Sequence, residues 1–97
     1  MFKILQTETF AKWLRRLKDE EAKARIFVRM RQLGQGHFGD SKSVGEGVHE
    51  MRIDHGPGYR VYYKRKGAQI IVLLVGGDKS TQRRDIDKAI ALGKETE

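Results

Sequence analysis

Residues 69–75, Gln-Ile-Ile-Val-Leu-Leu-Val, constrain this chain more than any other stretch. An almost unbroken run of leucine and β-branched side chains offers water no polar face. It therefore predicts a strand buried on both sides, in the middle of a sheet. The run is far shorter than the roughly 20 residues that span a bilayer. The opening MFKILQTETF lacks the apolar stretch of a secretion signal. A cytoplasmic chain with no membrane association is the expectation. Ninety-seven residues leave room for one core, so one domain over 1–97 is expected, with 94–97 fraying.

What precedes that strand changes hydrophobic period once. Phe2 to Gln6 reads as a short first strand, and Thr7 as the N-cap of a helix. Phe10, Trp13, Leu14 and Leu17 fall on one helical face, with Lys12, Arg15, Arg16 and Lys18 over the rest. Asp19 caps a second helix whose first turn carries Glu20 and Glu21, where the helix dipole favours anions. Ala22, Ile26, Met30 and Leu33 continue the 3.6 period until Gly34 and Gly36 end it. The two form a helical hairpin on one side of the sheet. Residues 35–47, with four glycines among polar neighbours, read as a loop.

From Val48 the period is 2. His49, Met51 and Ile53 share one face; Glu50, Arg52 and Asp54 share the other. His55-Gly56-Pro57-Gly58 is turn chemistry, after which Tyr59, Val61 and Tyr63 alternate with Arg60, Tyr62 and Lys64. Gly67 makes the next turn into the aliphatic strand. Gly76-Gly77-Asp78 ends that strand, Lys79-Ser80-Thr81 opens a last helix with Ile86, Ala89 and Ile90 as its stripe, and Gly93 reads as its stop. The predicted order is β-α-α-β-β-β-α. It makes an α+β fold, a small and mainly antiparallel sheet with an N-terminal helical hairpin and a C-terminal helix.

The hairpin over 48–66 permits a register prediction. Its apolar faces agree only if Met51 lies opposite Val61 and Ile53 opposite Tyr59. Arg52 then lies opposite Arg60, and Glu50 opposite Tyr62. Two opposed arginines repel by roughly 0.2–1 kcal/mol unless an anion intervenes. Either Glu50 and Asp54, their diagonal neighbours, supply it, or a phosphate or acidic partner does. Lys79, at the mouth of the last helix, favours an anion through free N–H groups and the dipole. Gly76 and Gly77 would let that anion approach the backbone. Arg52, Arg60 and Lys79 are thus expected to converge on one basic patch.

The charge balance agrees with a polyanionic or acidic partner. The chain carries 20 Lys/Arg against 13 Asp/Glu, a net +7, with the excess in its first two-thirds. With no cysteine and three scattered histidines (His37, His49, His55), no metal site and no cofactor are expected. Gly34-Gln-Gly36 follows a helix instead of opening one after a strand, which argues against a dinucleotide loop. Tyr59, Tyr63 and Trp13 read as core, and His49 as a packed histidine. Tyr62 shares the open face with Arg60 and is the better base-stacking candidate.

Val48-His-Glu-Met-Arg-Ile, Gly58-Tyr-Arg-Val-Tyr-Tyr and Ile71-Val-Leu-Leu-Val-Gly-Gly-Asp-Lys-Ser-Thr-Gln, closed by Asp85-Ile86-x-x-Ala89, stand in a telling order. Together they resemble the RelE/ParE toxin superfamily over residues 2–93. The branch they look most like is the HigB-type addiction module killer proteins. The resemblance implies a toxin held inactive by a co-produced antitoxin, of helix-turn-helix type in this branch. Many relatives cleave mRNA in the ribosomal A site, where the RNA 2′-hydroxyl attacks the adjacent phosphate and basic side chains stabilise the developing charge. On that footing Arg60, Arg52 and Lys79 are the catalytic candidates, and Tyr62, Lys64, Arg15 and Arg16 the RNA-binding ones. The chain departs from RelE in two places: Ile86 stands near a tyrosine, and the paired basic strand positions fall around Val48 and Glu50. The general base is therefore left among His49, His55, Glu50 and Lys79.

Three activities stay open at this level. They are a ribosome-dependent mRNA endoribonuclease, a ParE-like inhibitor of DNA gyrase, and an inactive homologue that binds only antitoxin or DNA. For the first, Arg60→Ala is expected to abolish toxicity without unfolding the protein.

Overall fold

A computed structural model describes residues 1–96. Its sheet is built from β1 (Lys3–Gln6), β2 (Ser41–Gly45), β3 (Val48–Ile53), β4 (Tyr59–Lys66) and β5 (Ile70–Gly77). Its helices are α1 (Glu8–Arg16), α2 (Glu20–Gly34) and α3 (Gln82–Glu95), with a 3₁₀ turn, Lys79–Thr81, leading into α3. The strands lie in the order β1-β5-β4-β3-β2. β1 runs parallel to β5, and the other three pairings are antiparallel.

β5 lies inside the sheet between β1 and β4, as its apolar run predicts, and Ile71 to Gly77 are all buried. The β3–β4 hairpin has the predicted register: Met51 opposes Val61, Ile53 opposes Tyr59, Glu50 opposes Tyr62 and Arg52 opposes Arg60. Both predicted N-caps are present. Thr7 Oγ1 accepts from the Phe10 N–H at 3.0 Å, and Asp19 Oδ1 from the Ala22 N–H at 3.0 Å.

The sheet is covered on both sides. On one face α1 and α2 bury Phe10, Leu14, Ile26 and Leu33 against Met51, Val61, Tyr63, Ile71 and Leu73. On the other, α3 lays Ala89, Ile86 and Ile90 over Val48, Tyr62, Val72, Leu74 and Val75. A bulge in β5 lets two successive residues serve that second core. Tyr62 pairs with Val75 and Tyr63 with Leu73, so Leu74 is the extra residue, and it joins Val75 beneath α3.

Four sequence expectations are corrected. Residues 35–47 are not all loop, because Ser41–Gly45 forms β2 and pairs with β3 along an edge. Gly93 does not end the last helix. It is buried within it, where a side chain would press on Lys64 and Val48. Of the fray expected at 94–97, Lys94 and Glu95 instead continue α3, and residue 97 lies outside the described residues. Most consequential, the face shared by Glu50, Arg60 and Tyr62 is not open: α3 lies across it.

Candidate functional site

Opposed on neighbouring strands, Arg52 and Arg60 must each find a counter-charge, and they find different ones. The Arg60 side chain is 10% exposed and its Nε lies 3.4 Å from Glu50 Oε2, on a carboxylate with no solvent exposure. Arg60 Nη1 donates to the Gly58 carbonyl at 3.0 Å. The Arg52 guanidinium pairs instead with Asp40 at 3.4 Å, just before β2. Asp40 also accepts the Arg52 backbone N–H through its carbonyl, and the Arg52 carbonyl accepts from Arg29 Nη1 at 2.7 Å. The expectation of two guanidinium groups awaiting one external anion is thereby corrected. Glu50 supplies one counter-charge as its diagonal position allows, Asp40 supplies the other, and exposed Asp54 supplies neither.

Glu50 is the hub of this region. Tyr62 Oη donates to its Oε2 at 3.0 Å and Gln82 Nε2 at 2.8 Å, which ties β3, β4 and α3 together through one carboxylate oxygen. Its Oε1 and the Arg60 Nε are buried with no hydrogen-bond partner among the described residues. Burial raises the Tyr62 phenol above its ordinary range, and the adjacent Glu50 adds to this, so Tyr62 stays a protonated donor. Tyr62 is fully buried. The expectation that it stacks on bases is corrected for the same reason that the face is closed.

Lys79 is rooted beside the turn that the Arg60 guanidinium reaches. A Cβ on Gly58 would lie 3.4 Å from Arg60 Nη1 and 3.5 Å from Lys79 Cβ, so the two cationic side chains flank the same turn. Gly58 holds φ +80°, in the left-handed region that glycine adopts without strain. Asp78 fixes the 3₁₀ turn beneath Lys79. It accepts from the Ser80 N–H at 2.8 Å and from Ser80 Oγ at 2.5 Å. The Ser80 hydroxyl is the main reason its carboxyl lies below the ordinary value, and the Arg60 charge contributes further.

The expectation that Gly76 and Gly77 leave space for an external anion is also corrected. The Trp13 ring lies on Gly76, and the Asp85 carboxylate on Gly77, where a side chain would overlap each. Asp85 accepts from Thr81 Oγ1 at 2.5 Å. The remaining candidates divide. Lys64 is half-buried and its Nζ donates to the Gly93 carbonyl at 3.3 Å, near the end of α3. Arg15 pairs with Glu8 at 3.1 Å, and Arg16 is exposed. Among the base candidates, Glu50 is buried and His49 stacks on Tyr63 with centroids 5.4 Å apart. His55 is held between Asp19 (3.1 Å) and Glu21 (3.4 Å), tying the β3–β4 turn to the start of α2.

Sequence reasoning missed Asp40, Gln82 and Asp85. Asp85 leaves a trace, lying one helical turn before Ala89 on the buried side of α3. Asp40 and Gln82 reach their partners only through tertiary packing. Among the described residues, no group of three or more His, Asp or Glu side chains is placed to hold a metal ion. What the site offers chemically is a guanidinium and an ammonium at one turn, partly offset by Glu50 and Asp78.

This architecture is that of the RelE toxins. The Escherichia coli toxin RelE, solved in the free state as a double arginine-to-alanine mutant, matches with a TM-score of 0.73 over 94% of this chain and 96% of that one, at 14% identity. The family model described as Phage derived protein Gp49-like (DUF891) matches residues 12–94, and the chain belongs to that family. It is also 51% identical over 92 residues to an uncharacterized protein of Haemophilus influenzae, covering 95% of this chain and 93% of that protein.

Proposed function

We propose that this chain is the toxin of a toxin–antitoxin pair, in the HigB-like branch, acting on messenger RNA at the ribosome as an endoribonuclease. Family membership and the RelE fold support the toxin assignment. The observation that carries the RNA reading is that the Arg60 guanidinium and the base of the Lys79 side chain both lie beside Gly58. There a guanidinium whose direction is fixed by the Gly58 carbonyl adjoins an exposed lysine. A phosphate at this turn meets what Glu50 and the Gly58 carbonyl leave of the guanidinium, together with the charge of an exposed lysine, and both favour charge developing on a pentacoordinate phosphorus. The RNA's own 2′-hydroxyl attacks the adjacent phosphorus without a metal, and its proton passes to water. The P–O5′ bond breaks, and the 5′ oxygen takes a proton from water, leaving a 2′,3′-cyclic phosphate and a 5′-hydroxyl end. Arg60 and Lys79 stabilise the transition state. Arg52, drawn to Asp40, acts at a distance from them through the field alone. A cognate antitoxin, of helix-turn-helix type in this branch, neutralises the protein.

A second activity is favoured by one observation. Arg60 already faces Glu50, and neither buried Glu50 nor Tyr62 can reach a substrate proton without movement of α3. A toxin that binds its target without cutting RNA fits that closed network. Inducible expression separates the two. Wild-type protein should arrest growth, co-expression of the adjacent reading frame should relieve the arrest, and Lys79→Ala and Arg60→Lys should each weaken it. Full arrest by both variants at equal expression would remove this turn from the mechanism.

A further inference from the structure

A groove with a volume of about 520 Å³ runs between α1 and α3, beside the end of β5. Lys12 and Arg16 line it from α1, and Arg84 and Lys88 from α3; all four are exposed. Trp13 and Gly76 form part of its wall, and Asp85 is its one carboxylate, engaged by Thr81. β1 reaches only to Leu73 along β5, so on that side no strand covers β5 at Val75–Gly77, and helices on opposite faces of the sheet both reach this opening.

The arrangement is compensated only in part, by the single carboxylate of Asp85 against four cations. Lys12 and Arg16 are four residues apart, as are Arg84 and Lys88, so each pair is one helical turn apart with like charges that repel. Among the described residues none of the four side chains has a hydrogen-bond or ion-pair partner, whereas Arg15, Arg25, Arg52 and Arg60 all do. The lining is mixed, with Trp13, Val75 and Gly76 among the four cations. The exposed large hydrophobic residues Met1, Leu5, Phe27 and Val28 all lie elsewhere. The four cations favour a polyanion as the occupant, with the Trp13 ring available for it to pack against.

We propose that this groove binds the phosphodiester backbone of single-stranded RNA, as a contact separate from the Arg60 turn. The choice of RNA rests on the RNA-directed reading given above. Each row advances about 6 Å between its two charges, a step that successive phosphates of a flexible strand can match. Register places the groove one strand away from Arg60, since Gly77 pairs with Arg60 and Gly76 with Val61. A strand lying in the groove would pass the end of β5 toward the Arg60 turn.

The test is fluorescence anisotropy of a labelled oligouridylate with the full-length protein across a salt series. A variant carrying Lys12→Ala, Arg16→Ala, Arg84→Ala and Lys88→Ala is compared with one carrying Lys3→Ala, Arg31→Ala, Lys66→Ala and Lys94→Ala, which loses the same charge elsewhere. Circular dichroism confirms that both are folded. The groove variant should bind at least about tenfold more weakly, and its slope of log K against log salt should flatten by roughly 0.7 per lost phosphate contact, about 3 for four. The control should keep most of both. Equal weakening in the two variants would reduce the effect to net charge and overturn the site. So would wild-type binding of an oligoglutamate probe without binding of oligouridylate. Growth arrest without oligouridylate binding would sink the groove and leave the toxin reading standing; binding without growth arrest would do the reverse.

Discussion

Arg60→Ala should unsettle the fold as well as the site. The guanidinium is 10% exposed and faces a carboxylate with no exposure at all. Taking away one partner of a buried ion pair leaves the other as an uncompensated charge, a loss of about 3–5 kcal/mol. Glu50 would keep its bonds from Tyr62 and Gln82, which points to the lower end, about 3 kcal/mol. In a domain of this size that lowers Tm by on the order of 12–24 °C. Glu50→Gln combined with Arg60→Ala removes both charges, and should recover about 2 kcal/mol of the loss. Thermal and urea unfolding followed by circular dichroism measure both. If Arg60→Ala lies within about 1 kcal/mol of wild type, or the double variant is no more stable than the single one, the buried pair is not what this account takes it to be. The expectation that Arg60→Ala would spare the fold is revised accordingly. Arg60→Lys is the more informative probe, because it keeps a charge facing Glu50 while losing the planar fork.

Three other outcomes follow from the same geometry. Lys79→Ala should change stability by less than about 0.5 kcal/mol, since the residue is exposed, yet weaken growth arrest. Gly76→Ala should cost roughly 1–3 kcal/mol, because the added methyl meets the Trp13 ring; unchanged unfolding would show that the ring yields. Asp19 is held below its ordinary value of 3.8, chiefly by the Ala22 N–H and also by His55. A depressed carboxyl stabilises the fold above its unfolded value and loses that contribution as pH falls through its folded value. Stability should therefore decline on acidification below about pH 4. Asp19→Asn, which keeps an N-cap, should flatten that acid limb; an unchanged limb would place the dependence elsewhere.

Much of the fold was legible because its strongest signals are local or arithmetical. The helix caps at Thr7 and Asp19 are single-residue chemistry, and the β3–β4 register follows from the parity of the strand period. β2 escaped because Ser-Lys-Ser-Val-Gly on a sheet edge buries little, Val44 being its contribution to the core, and backbone pairing to β3 defines it. The site was half legible. Register placed Arg52 opposite Arg60, but where each guanidinium turns depends on Asp40, Glu50 and the packing of α3, none of which a strand pattern encodes. Tyr62 shows the same limit: alternation gave its face, while tertiary packing decided that this face is closed.

We propose that a phosphate of a translated message reacts at the turn that Arg60 and Lys79 flank. Sequencing RNA 5′ ends after brief induction tests it most directly, with wild type and folded Arg60→Lys side by side. The account predicts new ends within coding regions for wild type and their loss in the variant. Growth arrest by wild type with no new ends, or the same ends from both proteins, would contradict it.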